Sequence, residues 1–242
     1  MPVAIHWFRR DLRLTDNTAL STAGKLGPVL PVFILDPEIL QRPDTGPARF
    51  AFLCAGLRAL EGDLLARGSK LLVRRGEPAT VLREIARRHR AAGLFFNRDY
   101  EPYAIARDAR VTSVLQSEGV FVNSCKDDVI AELGELPGPR PFRVFTPFHR
   151  AWVAGLTTER RAERAGRGDF VPGGEIESDP LPRPAELPGA RAATIPEAGP
   201  RAGTVSLERF TRHGLASYAD DRDRLDREDT SRLSYFLRFG MV

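Results

Sequence analysis

Cysteine is nearly absent from this chain: Cys54 and Cys125 stand far apart and match no metal-ligand spacing. They read as two reduced, partly buried thiols of a cytoplasmic protein. The four histidines, His6, His89, His149 and His213, are scattered and form no ligand cluster, so no metal is expected. No apolar run is long enough to span a bilayer, which speaks against membrane insertion. No basic stretch leads into an apolar signal-peptide core, so the expected location is the cytoplasm. The G-x-G-x-x-G fingerprint and the P-loop are both missing, which argues against a conventional nicotinamide dinucleotide site or an NTPase. No Ser/His/Asp or Cys/His arrangement follows from spacing. Lysine occurs only at Lys25, Lys70 and Lys126, so the basic side chains are almost all arginine. Such a bias often reflects genome composition, and the net charge of +4 is only a weak pointer to a polyanion partner.

What is present is a repeating alternation of strand and helix patterns. Its 242 residues can hold one large domain, or one domain plus a piece of another. Val3 to Phe8 is an apolar, β-branched and aromatic run, and Asp16-Asn17 offers caps for a helix reaching about Ala23. Val29 to Leu35 reads as a second strand. Phe50, Leu53, Leu57, Leu60 and Leu64 recur at spacings of 3, 4, 3 and 4, one apolar face of a long helix, with Gly68 as its expected C-cap. Leu71 to Val73, Leu94 to Phe96 and Val120 to Val122 read as three further strands. Helices are expected between them at Glu77 to His89 and Tyr103 to Ser117. Continuous apolar strands separated by amphipathic helices indicate the α/β class: a Rossmann-like, doubly wound, parallel five-stranded sheet over residues 1–130.

Residues 131–205 read as a connection and linker. The segment Phe142 to Trp152 closes the first domain, and from about Gly166 to Gly203 the pattern dissolves into Pro, Gly and Ala, as in an exposed linker. Arg167-Gly168-Asp169 within it reads as loop. Helical pattern resumes at Ser206, with Leu207, Phe210, Leu215 and Tyr218. Residues 206–242 are too few for an independent core and must dock on the first domain, find a partner or stay disordered.

In a doubly wound sheet, ligands bind beyond the carboxyl ends of the strands. Of the segments that leave this edge, Asn97 to Tyr103 is the richest in polar and aromatic groups. A planar heterocycle could stack on Tyr100 or Tyr103 and hydrogen-bond Asn97, Asp99 or Glu101; the other reading is a helix N-terminus with its customary acids. Arg9-Arg10-Asp11-Leu12-Arg13 reads as a turn tied together by Arg/Asp pairs. Thr230-Ser231-Arg232-Leu233-Ser234 places three hydroxyls and a guanidinium in five residues. At a helix N-terminus these would form an anion site suited to a diphosphate; a Thr N-cap beside an exposed Arg explains the pattern equally well.

The chain resembles the DNA photolyase/cryptochrome family along nearly its whole length. The matching pieces, in order, are His6 to Asn17, Phe33 to Pro37, Pro47-Ala48-Arg49, Asn97 to Tyr103 with Arg107-Asp108, Val144 to Trp152, and Tyr218 to Gly240. The resemblance implies an α/β antenna domain over 1–130 and the start of a helical FAD domain over 206–242. It implies that Tyr218, Thr230, Ser231, Arg232, Leu233 and Ser234 match FAD contacts and that Arg222 matches a position facing DNA. The implied activity is light-driven repair of cyclobutane pyrimidine dimers in UV-damaged DNA, with a flipped lesion and electron transfer from reduced FAD.

Folate-binding members of the family carry an Asn-Glu pair where Tyr103-Ala104 stands here. The resemblance therefore implies 8-hydroxy-5-deazaflavin as the antenna, with methenyltetrahydrofolate as the alternative. Phe33, Asp36, Arg49, Asp99, Glu101 and Arg238 are the expected lining residues. Departures are also visible. Ser234 lacks the proline that commonly follows it in the family, His149 replaces a usual Trp, and Val242 falls where the family continues through most of its FAD domain. The expectation is a chain that alone neither retains FAD tightly nor repairs DNA, unless a separate chain supplies the remainder. The alternatives are a cryptochrome-like photoreceptor, a chromophore-binding module without catalysis, and a remnant of a disrupted gene.

Overall fold

A computed structural model describes residues 1–43, 45–138, 142–158, 168–187, 193–227 and 229–242. Five parallel strands form one sheet in the order β3-β2-β1-β4-β5. They are β1 (Val3–Phe8), β2 (Val29–Leu35), β3 (Leu72–Arg75), β4 (Ala91–Asn97) and β5 (Phe121–Cys125). Helices α1 (Thr18–Ala23), α2 (Pro37–Leu40), α3 (Pro47–Leu65), α4 (Pro78–His89) and α5 (Pro102–Ser117) connect them.

Side chains alternate across a strand, and each face of this sheet has its own core. Ala4, Phe8, Val29, Phe33 and Leu35 point to the α3 side, where they meet Phe50, Leu57, Leu60 and Leu64. Ile5, Trp7, Leu30, Val32 and Ile34 point to the other side and meet Leu82, Ile85, Val111 and Leu115 of α4 and α5. All seven residues of β2 are buried, as expected of a central parallel strand.

Local chemistry sets the helix ends. Asn17 caps α1 by accepting the Leu20 N–H at 3.0 Å. Helix α3 stops at Leu65, and Gly68, at φ +74°, turns the chain away. Both cysteines are free thiols within buried surroundings, and burial pushes the Cys54 thiol up to about 11.

The expected exposed linker differs from what the structure shows. Val171, Ile176 and Leu187 are buried. Phe170 forms a parallel bridge to Val29, and Val171 N–H donates to the Val29 carbonyl at 2.9 Å. Further on, the Val73 N–H donates to Ser178 Oγ at 2.8 Å. The physical reason is unpaired backbone on this side of the sheet: β3 is a short edge strand that pairs β2 only from Val32 onward, so Val29 of β2 and Val73 of β3 both need partners; the stretch after Gly168 supplies them. Gly166, Arg167 and residues 188–192 of that stretch lie outside the described residues.

Helix α6 (Phe145–Ala154) has no buried residue, and Phe142, Phe145 and Phe148 stack among themselves. The last part of the chain docks on the first. It comprises α7 (Pro200–His213), α8 (Tyr218–Asp221) and α9 (Ser234–Arg238). Phe236, Phe239 and Met241 join the α3-side core. A Cβ on Gly56 of α3 would lie 2.0 Å from Met241 Cε, so glycine there leaves the space that the end of the Met241 side chain fills. Among the described residues, no helix is long and apolar enough to cross a membrane, and no group of His, Cys, Asp and Glu could hold a metal.

Candidate functional site

Strands β1 and β4 are adjacent, and their following helices leave to opposite faces. This is a topological switch point, where such sheets open a crevice. At its floor lies a buried polar node. Asn97 Nδ2 donates to Asp11 Oδ2 at 2.7 Å and to Asn17 Oδ1 at 2.9 Å. Asn97 Oδ1 accepts the Ala19 N–H at 3.0 Å, and Asp11 Oδ1 accepts the Arg9 N–H at 2.8 Å. Burial pushes the Asp11 carboxyl up. The hydrogen bond and charge of His6, with the Arg9 groups, outweigh that and hold it well below the usual carboxylate range. Asn97 is therefore spent on the fold and is not the ligand donor that its loop composition suggested.

Above the node sits a stack of guanidinium and aromatic groups. Arg9 Cζ lies 4.8 Å from the Trp7 ring centroid and 4.7 Å from that of Phe96. Arg107 Cζ lies 4.8 Å from Trp7 as well. Asp108 compensates both charges: Arg9 Nη1 is 2.6 Å from Asp108 Oδ2 and Arg107 Nη2 is 3.0 Å from Oδ1. Cation–π contact and a shared carboxylate together make it tolerable to bury two arginines.

Against this stack opens a cleft with aromatic walls and a charged rim. Phe33, Asp36, Arg49, Asp99, Glu101 and Arg238 all line it. They come from β2, the β2–α2 turn, α3, the β4–α5 loop and α9, so the fold gathers residues spread over the whole sequence. Arg10, Arg42, Tyr103, Arg107 and Phe239 line it too. Arg10, Arg42, Arg107 and Phe239 lie outside the lining set expected from sequence. A doubled arginine after β1 was the only signal for Arg10, and Phe239 gave none. Tyr103 Oη donates to Asp36 Oδ2 at 2.5 Å. Burial, then this carboxylate, raises the Tyr103 phenol above its ordinary value. Tyr100 lies elsewhere: it is half-exposed and donates to Glu132 Oε1 at 2.8 Å.

The rim is braced by ion pairs. Arg10 Nη1 lies 3.1 Å from Asp99 Oδ1 and 3.4 Å from Glu101 Oε1. Arg238 Nη1 reaches the same Glu101 oxygen at 2.5 Å. The tail thus completes one wall of the cleft.

A second cleft opens on the other side of α9. Thr230, Ser231 and Arg232 line it, together with Ser206, Arg209, Phe210, His213 and Tyr235. Leu233 turns into the core, and Ser234 begins α9. Tyr218 stands edge-on to Phe210, with ring centroids 5.6 Å apart. Arg222 is exposed, with Asp223 at 3.6 Å. The expected helix start at Thr230 is corrected: α9 begins at Ser234, and Arg232 at φ +49° turns the chain into it. Thr230, Ser231 and Arg232 therefore present their polar groups on an approach loop.

Residues 4–165 match the DNA photolyase family. The deoxyribodipyrimidine photo-lyase of Halobacterium salinarum is 34% identical over 98% of this chain and 52% of its own length. An uncharacterized 31.6 kDa protein from the atpI 5′ region of Synechococcus is 34% identical, over 100% of this chain and 86% of its own. Among solved structures, a class III photolyase from Agrobacterium tumefaciens superposes with a TM-score of 0.86 at 28% identity, covering 100% of this chain and 51% of that one. The chain spans about half the length of the photolyases it matches. With the sheet order, the motifs and these matches in agreement, the chain belongs to the DNA photolyase family.

Proposed function

We propose that this chain is the light-gathering part of a deoxyribodipyrimidine photo-lyase, acting on UV-damaged DNA in the cytoplasm. One observation carries the reading: Phe33, Asp36, Arg49, Asp99, Glu101 and Arg238 line a single cleft at the carboxyl edge of the sheet. In this reading residues 1–130 are the antenna domain, 131–205 the connection and 206–242 the start of the flavin domain.

The residues fit a planar, anionic, hydrogen-bonding chromophore such as 8-hydroxy-5-deazaflavin, with methenyltetrahydrofolate as the alternative. Phe33, Phe50 and Phe239 offer flat apolar walls. Arg10, Arg49 and Arg238 offer donors for carbonyl and phenolate oxygens, and Asp36 and Asp99 accept from ring N–H groups. When bound, the antenna supplies blue-light absorption and reduced FAD the electron that splits a cyclobutane pyrimidine dimer. Tyr103 holds Asp36 in place, and Glu101 bridges Arg10 and Arg238 along the rim. At the second cleft, Tyr218, Thr230, Ser231, Arg232, Leu233 and Ser234 are assigned to the FAD side, with the hydroxyls of Thr230 and Ser231 and the Arg232 guanidinium suited to its diphosphate. Arg222, exposed beyond α8, is assigned to DNA phosphate.

A second reading, a chromophore-binding module without catalysis, is favoured by the likeness to the 31.6 kDa Synechococcus protein, of which this chain spans 86%. One experiment separates the two. Absorption spectra of the purified chain are taken alone, with FAD and with 8-hydroxy-5-deazaflavin, followed by repair of dimer-containing DNA under blue light. Deazaflavin uptake, with repair appearing only when a polypeptide supplying the rest of the flavin domain is added, supports the first reading. Deazaflavin uptake with no repair under either condition supports the second, and a chain that takes up no deazaflavin overturns both.

A further inference from the structure

Helix α9 separates the two clefts and contributes to each. Tyr235 lines the cleft beside Arg232, while Arg238, three residues on, lines the aromatic cleft together with Phe239. A five-residue helix has no stability of its own, so α9 exists only while docked. Its anchors lie on the β1–α1 loop and on α3. Leu12 N–H donates to the Phe239 carbonyl at 2.9 Å, Arg10 Nε to the Arg238 carbonyl at 3.2 Å, and Arg13 Nη1 to the Gly240 carbonyl at 3.2 Å. The rings of Tyr235, Phe236 and Phe239 lie 5.2, 5.6 and 5.8 Å from Phe52. Gly240, at φ +57°, permits the close approach, since a Cβ there would fall 2.3 Å from the Arg10 carbonyl oxygen.

We propose that residues 233–241 form a strap that couples the two clefts, so that a ligand in either one tightens the other. The inference rests on the reading that each cleft takes a chromophore. Undocking the strap removes Arg238 and Phe239 from one cleft and Tyr235 from the other in a single event. A ligand that needs the docked strap bears the ordering cost, and the second ligand then finds the strap already ordered. The coupling must be reciprocal, because both affinities depend on the same equilibrium.

The test is a pair of fluorescence titrations on the full chain. 8-Hydroxy-5-deazaflavin is titrated with and without saturating FAD, and FAD with and without saturating deazaflavin. We expect each affinity to rise by the same factor, at least about fivefold. In parallel, amide exchange at Leu12, whose N–H bonds the Phe239 carbonyl, should slow when FAD alone is added. Gly240→Ala should bring the coupling within about twofold while both ligands still bind. Equal affinities alone and together, or Leu12 exchange unmoved by bound FAD, overturn the strap and leave the proposed function standing. A chain that binds neither flavin overturns both.

Discussion

Asn97 Nδ2 donates to Asp11 Oδ2 at 2.7 Å and so ties the end of β4 to the loop after β1. The same amide also holds Asn17 and the start of α1. Every polar atom of Asn97 is used, and the bonds lie where water cannot replace them.

Asn97→Ala should therefore cost about 2 kcal/mol, because it leaves the Ala19 N–H and an Asp11 lone pair unsatisfied. Urea unfolding at pH 7 measures it. Asn97→Asp should cost at least as much at pH 7, by placing two carboxylates together, and should recover part of the loss in acid. A neutral result for both would show that the node is not structural.

Asp11 predicts an acid limit. Its folded carboxyl titrates below the unfolded value, so its contribution is fully present above an unfolded pKa of about 3.9 and is lost as pH falls towards the folded value. Wild type should lose stability between about pH 4 and pH 2 more steeply than Asp11→Asn. Urea midpoints across that range decide it; parallel curves would sink the assignment.

Arg9 is held by geometry as well as charge: it stacks on Trp7 and Phe96 and grips Asp108. Arg9→Met should cost about 3 kcal/mol, as for breaking a buried pair. Arg9→Lys should recover only part of it, since lysine has neither the planar face nor the fork. Full rescue by lysine in thermal or urea unfolding would mean that charge alone matters.

Phe236 is the apolar anchor of the tail, 1% exposed and edge-on to Phe52. Phe236→Ala should remove about 3–5 kcal/mol from tail docking. Limited proteolysis should then cut near residues 222–232 while the sheet survives. Unchanged cleavage would place the anchor elsewhere.

Arg238 joins the rim of the aromatic cleft through Glu101. If the cleft takes 8-hydroxy-5-deazaflavin, Arg238→Ala should weaken its binding by about tenfold, roughly one charge-assisted hydrogen bond. The melting midpoint should stay nearly constant. An unchanged affinity by fluorescence titration would remove Arg238 from the site.

The five strands of the first 125 residues, and their helices other than the short α2, were legible in sequence because their signals are local: apolar runs for buried strands, an apolar stripe for α3, Asn17 as a cap. The class of sheet followed, since alternating strands and helices leave few topologies open. Only the tertiary structure decided what the polar residues do. Asn97 and Tyr100 sit in one loop, yet one is locked in the node and the other bonds Glu132 on the outside. Composition cannot distinguish them, because burial depends on partners far away in sequence. The stretch after Gly168 carries no periodicity, but it satisfies the edge of β3, and backbone pairing leaves no side-chain pattern to read. The cleft itself closes only when Phe239 and Arg238 meet Arg10 and Glu101, across more than half of the chain. That contact arises because the tail buries its aromatic rings against Phe52 of α3, which brings Arg238 and Phe239 to the rim.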